Sequence, residues 1–355
     1  MQNQIKNTIW LLMVSTILLS CSNAPIGYSY RMEAKELTKN KDFDGAIIKL
    51  NKAFDINPNY DTVIYNLAIN HLYLNHKDSA LGYLNKVIKV NHKYAKAYLF
   101  FAELSEEDSV KLKHLETGYK YSQNENLKGA YKYKNGNIFF KQFRYQKAIE
   151  AYEIAISHNP NNISFCNKIG ISHFHLNQLE KAIYYYKQAI SINKTDHKAY
   201  LNYGNVLHKK GELAKAIKLY QKSDNLKSNN RNTLYNLGNC YKNNNQYLEA
   251  KSVFNKLLLL GYKDAPTLCM LAIAQKKAGN HKESCETLDQ LMKLAKTKNI
   301  SIDIESMNKT YSKRYSHTKN IKEAMDVFET DIMQPNEFYF FGAQLKAEFC
   351  TSKEK

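Results

Sequence analysis

The residues of this chain best suited to covalent or metal chemistry are its six cysteines and eleven histidines. Cys21 closes the stretch "LLSC" after the apolar run "TIWLLMVSTILL", which sets a thiol nucleophile beside small side chains. The other five cysteines, at 166, 240, 269, 285 and 350, form no CxxC or other ligand spacing. An odd number cannot all pair with one another, and buried thiols packed as small hydrophobes account for them. His173 and His175 stand two apart on an expected helix. Residues at that spacing do not share a helix face, so they make no metal pair. Glu106 and Glu107 read as surface charge. The chain contains no GxSxG, Walker loop, HExxH or paired-cysteine zinc pattern. The reading is of a protein that is not an enzyme, with no catalytic residue, no metal site and no cofactor.

The setting of Cys21 carries more. The apolar run spans residues 8–19, short of the roughly 20 residues that a membrane-spanning helix needs. It has the length of a signal-peptide core. Leu18, Ser20 and Cys21 together resemble the bacterial lipobox. The resemblance implies that residues 1–20 are a lipoprotein signal peptide, that Cys21 is the lipidated residue, and that 21–30 form a lipidated tether. Two or more acyl chains make a stable anchor where one is marginal. The expected location is therefore the cell envelope. Ser22 after the cysteine, rather than an aspartate, is similar to sorting signals for the outer membrane, facing the periplasm.

The formal charge is +18, and loss of residues 1–20 removes only Lys6. Almost all of it is lysine, with arginines only at 31, 144, 231 and 314. Such a balance favours acidic partners. Arg-rich clusters and nucleic-acid recognition motifs are missing from the sequence, so no nucleic acid is expected.

The positioning elements follow from a repeat. "NYGNVLHKKGELAKAIKLYQKS" (202–223) aligns with "NLGNCYKNNNQYLEAKSVFNKL" (236–257), 34 residues on. Stepping back by 34 from Ala250 meets Ala216, Ala182, Ala148, His114, Ala80 and Ala46. A second column reads Ala34, Ala68, Ala102, Gly136, Gly170, Gly204, Gly238 and Ala272. The sequence resembles the tetratricopeptide repeat family, whose unit is a 34-residue helix–turn–helix. The implied fold is all-α, a right-handed superhelical solenoid of such repeats with a C-terminal capping helix. Eight repeats are expected over 27–298, of which 95–128 is degenerate, with His114 at the alanine position. An irregular ninth follows over 299–335, then the capping helix and tail over 336–355. Small residues are expected at close helix crossings, and Tyr152, Tyr186, Tyr220 and Phe254 between neighbouring repeats.

In that family the first helix of each repeat lines a concave groove. The resemblance carries this onto Tyr133, Asn137 and Lys141, onto Asn205 and Lys209, and onto Tyr235, Asn239 and Lys242 as the protein-binding groove. Asn can meet a peptide backbone with donor and acceptor together, and Lys can meet carboxylates. Residues 129–230 hold sixteen Lys and Arg against six Asp and Glu, so an acidic protein segment is the expected partner. The implied function is a non-catalytic, membrane-anchored interaction scaffold or adaptor. The alternative is a glycan- or nutrient-binding envelope lipoprotein.

Overall fold

The computed structural model describes residues 27–298, 300 and 335–350. The expected signal peptide, Cys21 with its expected tether as far as residue 26, nearly all of the expected ninth repeat and the tail beyond 350 lie outside the described residues. Among the described residues there are seventeen α-helices and no strand. The chain divides into two compact units, 1–160 and 161–355.

The first unit is four helix pairs: α1 (Tyr28–Lys39) with α2 (Phe43–Ile56), α3 (Asp61–Tyr73) with α4 (Lys77–Val90), α5 (Ala95–Leu104) with α6 (Asp108–Tyr121), and α7 (Glu125–Lys141) with α8 (Tyr145–His158). The second holds α9 (Ile163–His175) with α10 (Leu179–Ile192), α11 (His197–Lys209) with α12 (Leu213–Leu226), α13 (Arg231–Asn243) with α14 (Tyr247–Leu259), and α15 (Ala265–Lys277) with α16 (His281–Thr297). A last helix, α17 (Pro335–Cys350), packs on α15 and α16 and caps the second unit. Within each unit, consecutive helices pack on one another as a solenoid of pairs.

Local chemistry punctuates the pairs at the same interval. In the second unit Asn162, Asp196, Asn230 and Asp264 cap the first helix of each pair, their side chains accepting from the N–H of Ser164, Lys198, Thr233 and Thr267. Such a cap stabilises a helix by about 1 kcal/mol. The turn inside a regular pair is closed by one N–H reaching back five residues, as from His76 to His71 O, Glu212 to Leu207 O and Asn280 to Gln275 O, at 2.8–2.9 Å. That closure puts one residue in the left-handed region: Lys41, Asn75, Phe143, Asn177, Gly211, Asn245 and Gly279. Phe143 is the odd member, with φ 58° and 78% of its surface exposed.

The core is two columns facing each other within each pair. Ala34, Ala68, Ala102 and Ala272 share apolar clusters with Leu50, Leu84, Leu115 and Leu288. In the other four pairs the small residue is glycine, and a ring lies where its Cβ would stand. A methyl on Gly170, Gly204 or Gly238 would approach the ring of Tyr186, Tyr220 or Phe254 to 2.6–2.7 Å, and one on Gly136 would strike Tyr152. Close approach is thus between a backbone and a ring inside one pair, while Tyr186, Tyr220 and Phe254 also share apolar clusters with residues of the following repeat. Ser284, at the alanine position of the last pair, is fully buried and donates to Ala272 O at 2.8 Å.

The third pair departs from the frame in a definite way. The second helices of the other first-unit pairs begin at Phe43, Lys77 and Tyr145, whereas α6 begins at Asp108, three residues ahead of the 34-residue step. That is roughly 4.5 Å of helix. Leu115 and Gly118 thereby enter the core columns, Gly118 directly under the Tyr131 ring. His114 leaves the alanine position and stacks half-buried on Phe101, centroids 5.2 Å apart. The slip is taken up by α7, which starts four residues early and runs for 17.

The cysteines also differ from expectation. Cys166, Cys240 and Cys269 are buried thiols, but Cys285 on α16 and Cys350 on α17 form a disulfide across a sequence separation of 65. With two of the five paired, the odd count left by the sequence is resolved.

Candidate functional site

The expected groove residues fall in both units. In the first unit, α7 carries Tyr133 and Asn137, half-buried, and Lys141, exposed. The Tyr152 hydroxyl, rising from the core on α8, donates to Asn137 Oδ1 at 2.9 Å. The Tyr133 ring lies 5.6 Å from that of Tyr152. Asn137 is thus held from below by a phenol whose own pKa burial pushes above the usual range. Beside Lys141, Asp108 is held below the ordinary carboxylate range, chiefly by the Gln142 amide that donates to it and then by Lys111 and Lys141.

In the second unit the same device recurs on α11. Tyr220 donates to Asn205 Oδ1 at 2.9 Å, and Asn236 on α13 adds a second donor at 2.8 Å. Asn243 and His208 bridge the same two helices at 2.9 Å. Lys209 is exposed, its ammonium 5.0 Å from the centre of the Phe174 ring on α9. The half-buried asparagines are therefore fixed in orientation by hydrogen bonds, and lysines stand at the open end of the same helices.

On α13 the arrangement differs. Tyr235 and Asn239 are 9% and 5% exposed, inside the molecule rather than on an open face, and Lys242 is half-buried. Tyr235 belongs to the apolar cluster that also holds Phe338 and Tyr339 of α17. Phe254 stands where Tyr152 and Tyr220 stand in their pairs, so no hydroxyl from α14 reaches Asn239. The Asn239 Oδ1 and the Tyr235 hydroxyl are both buried without a hydrogen-bond partner. Burial pushes the Tyr235 phenol well above its usual pKa, while the neighbouring Asn239 pulls the other way. The sequence reading placed both residues on the groove surface, and the structure buries them instead.

Family models describing the tetratricopeptide repeat match residues 130–162 and 232–260, and one describing the TPR repeat matches 172–211 and 204–245. Residues 130–162 and 172–260 thus match models of the tetratricopeptide repeat. Among solved structures, the C-terminal part of a TPR repeat-containing protein from Cytophaga hutchinsonii matches at 14% identity, covering 68% of this chain and 98% of that one, with a TM-score of 0.56. This likeness bears on the fold. The first TPR of Spaghetti (RPAP3), bound to the HSP90 peptide SRMEEVD, matches at 25% identity over 33% of this chain and 93% of its own, with a TM-score of 0.32. MamA matches at 22% identity over 57% of this chain and 95% of its own, with a TM-score of 0.29. No curated protein matches the chain.

Across these matched segments, the sequence reading missed the supporting residues: the hydroxyls of Tyr152 and Tyr220, and the amide of Asn236. A signal for them exists, because Asn137 and Asn205 each precede their tyrosine by 15 residues. Among the described residues, no group of three or more His, Cys, Asp and Glu is placed to hold a metal ion. Nor is any described helix long and apolar enough to cross a membrane.

Proposed function

We propose that this chain is a non-catalytic scaffold of the bacterial cell envelope, anchored by lipid on Cys21 at the outer membrane and facing the periplasm, which binds acidic segments of partner proteins. The observation that carries the binding reading is the pair of tyrosine-held asparagines, Asn137 and Asn205, each followed on its helix by an exposed lysine. Groups already fixed by the fold lose little freedom on capturing an extended segment, which leaves more of the contact energy for affinity. Lys141 and Lys209 supply point charges for carboxylates. The anchor raises the effective concentration of partners at the membrane. The Cys285–Cys350 disulfide supports an oxidising compartment such as the periplasm, since cytosolic thiols are kept reduced.

Two experiments test this. Membrane fractionation compares the wild type with Cys21→Ala; the wild type is expected in the membrane and the variant in the soluble periplasmic fraction. Both in the cytosol would end the envelope reading. For binding, crosslinking in the native cell identifies the partner. Asn137→Ala, Asn205→Ala and Lys209→Ala together should then weaken its capture by about tenfold or more with helical content unchanged, the scale of a lost hot spot. Unchanged capture moves the binding surface elsewhere, and recovery of glycan without protein replaces the scaffold by a nutrient-binding lipoprotein.

A further inference from the structure

The last repeat is covered on a side that an earlier one leaves open. On α11, Leu201, Asn205 and His208 are half-buried and Lys209 is exposed. The corresponding residues of α15 lie 68 further on, and Cys269 and Ile273 there are 0% and 6% exposed. Helix α17 sits against this repeat. The Cys269 thiol donates to Phe338 O at 3.2 Å, and the Lys276 ammonium stands 5.4 Å from the Phe349 ring centre. Phe338, Tyr339, Phe341 and Leu345 join the apolar cluster of α15 and α16. At Gly342 the helix passes so close to Leu291 that a side chain would clash. Beyond this packing, α17 is held by the Lys346–Asp289 ion pair at 2.5 Å and by the Cys285–Cys350 bond near its last residue.

We infer that α17 is a lid released by reduction: the disulfide keeps it over the last repeat, and cleavage of that bond lets it lift and open the face around Cys269 and Ile273. Both bonded cysteines are only half-buried, so a dithiol can reach them. One thiolate of the dithiol attacks a cystine sulfur, the S–S bond breaks, and the other protein sulfur leaves as a thiolate. The second thiol of the dithiol then attacks the mixed disulfide and expels the remaining protein sulfur. Two electrons pass to the cystine, both protein sulfurs take up protons as thiols, and the dithiol is oxidised to its own disulfide. An oxidising disulfide in thiol exchange runs the same steps backwards and closes the lid. The packed face of α17 favours the closed state in either case. The bond decides how often it opens, because without it the end of the helix is no longer tethered at high effective concentration.

Cys269 is a built-in reporter. Burial pushes its thiol far above the ordinary range, and Cys166 and Cys240 are also buried, on α9 and α13, outside the apolar cluster that holds the lid. The experiment is peptide-mapped alkylation of the full chain with N-ethylmaleimide, oxidised or pre-reduced with dithiothreitol, with circular dichroism recorded alongside. In the oxidised protein all three thiols should label slowly. After reduction, Cys269 should label about tenfold faster or more, as expected of a local opening, while Cys166 and Cys240 stay slow. Cys285→Ser with Cys350→Ser should reproduce the effect without reductant. An unchanged Cys269 rate would overturn the lid, leaving α17 held by packing alone. A common rise of all three thiols would overturn it as well, since the bond would then stabilise the whole unit.

Discussion

Four repeats join their helices with an alanine against a leucine, and four with a glycine against an aromatic ring. The first kind comprises Ala34, Ala68, Ala102 and Ala272 with Leu50, Leu84, Leu115 and Leu288; the second comprises Gly136, Gly170, Gly204 and Gly238 with Tyr152, Tyr186, Tyr220 and Phe254. Both solutions fill the same space: a methyl and a branched chain, or no side chain and a flat ring. They are not equivalent in what they deliver. The leucine ends inside the core, whereas the tyrosine carries a hydroxyl through to the residue after the glycine. In two repeats that residue is an asparagine which accepts it, Asn137 and Asn205. In the repeat of Tyr186 it is Ile171, which has nothing to accept with. In the repeat of Phe254 it is Asn239, whose Oδ1 is left without a donor. The ring-and-glycine crossing is thus both packing and a route for positioning a polar group from the core.

The comparison can be broken in one cycle. Tyr220→Leu beneath Gly204 leaves a void and should cost about 2–5 kcal/mol in urea unfolding. Gly204→Ala beside the intact ring should cost about 1–3 kcal/mol by overpacking. The double variant recreates the alanine–leucine crossing, and should be more stable than the sum of the two predicts by about 0.5–3 kcal/mol. Strict additivity would mean that the two columns do not choose each other. A smaller effect is expected where the hydroxyl is missing: Phe254→Tyr should gain about 0.5–1.5 kcal/mol by giving Asn239 a donor. A loss instead would mean that the ring cannot reach it, and that repeat 7 is built differently. The smallest change concerns glycine itself. Ala272→Gly, with Leu288 and not a ring in its cluster column, should cost about 0.5–1 kcal/mol through helix entropy, so that glycine is an advantage only beneath a ring.

The period of 34 and the column of small residues were readable because close crossing tolerates few side chains, and that restriction is written position by position. The partner of each small residue was also in the sequence, yet pairing it with a ring in the same repeat needed the coordinates. The slip in the third repeat was hidden for another reason. A fixed frame sets His114 against the alanines, and nothing local says that α5 ends after ten residues and that Leu115 has taken over. The left-handed turn at Phe143 likewise lacks the Gly or Asn that marks Asn177 and Gly211. The disulfide was invisible because cysteine spacing does not give connectivity, and Cys285 meets Cys350 only once α17 has folded back on α16. The burial of Tyr235 and Asn239 depends on packing between helices, which repeat-by-repeat reading does not see.

The slip has one more consequence. Helices α3, α5, α9, α11, α13 and α15 begin at 61, 95, 163, 197, 231 and 265, every one a multiple of 34 from the next. The early start of α6 shortens α5 to ten residues and shifts nothing beyond α7, whose long start absorbs it. In the language of crystals this is a phase defect bounded on both sides by lattice in register. Blocks of 34 residues could be duplicated or exchanged on either side of it as interchangeable modules. Residues 105–128 would have to travel as one piece with the helix that repairs them.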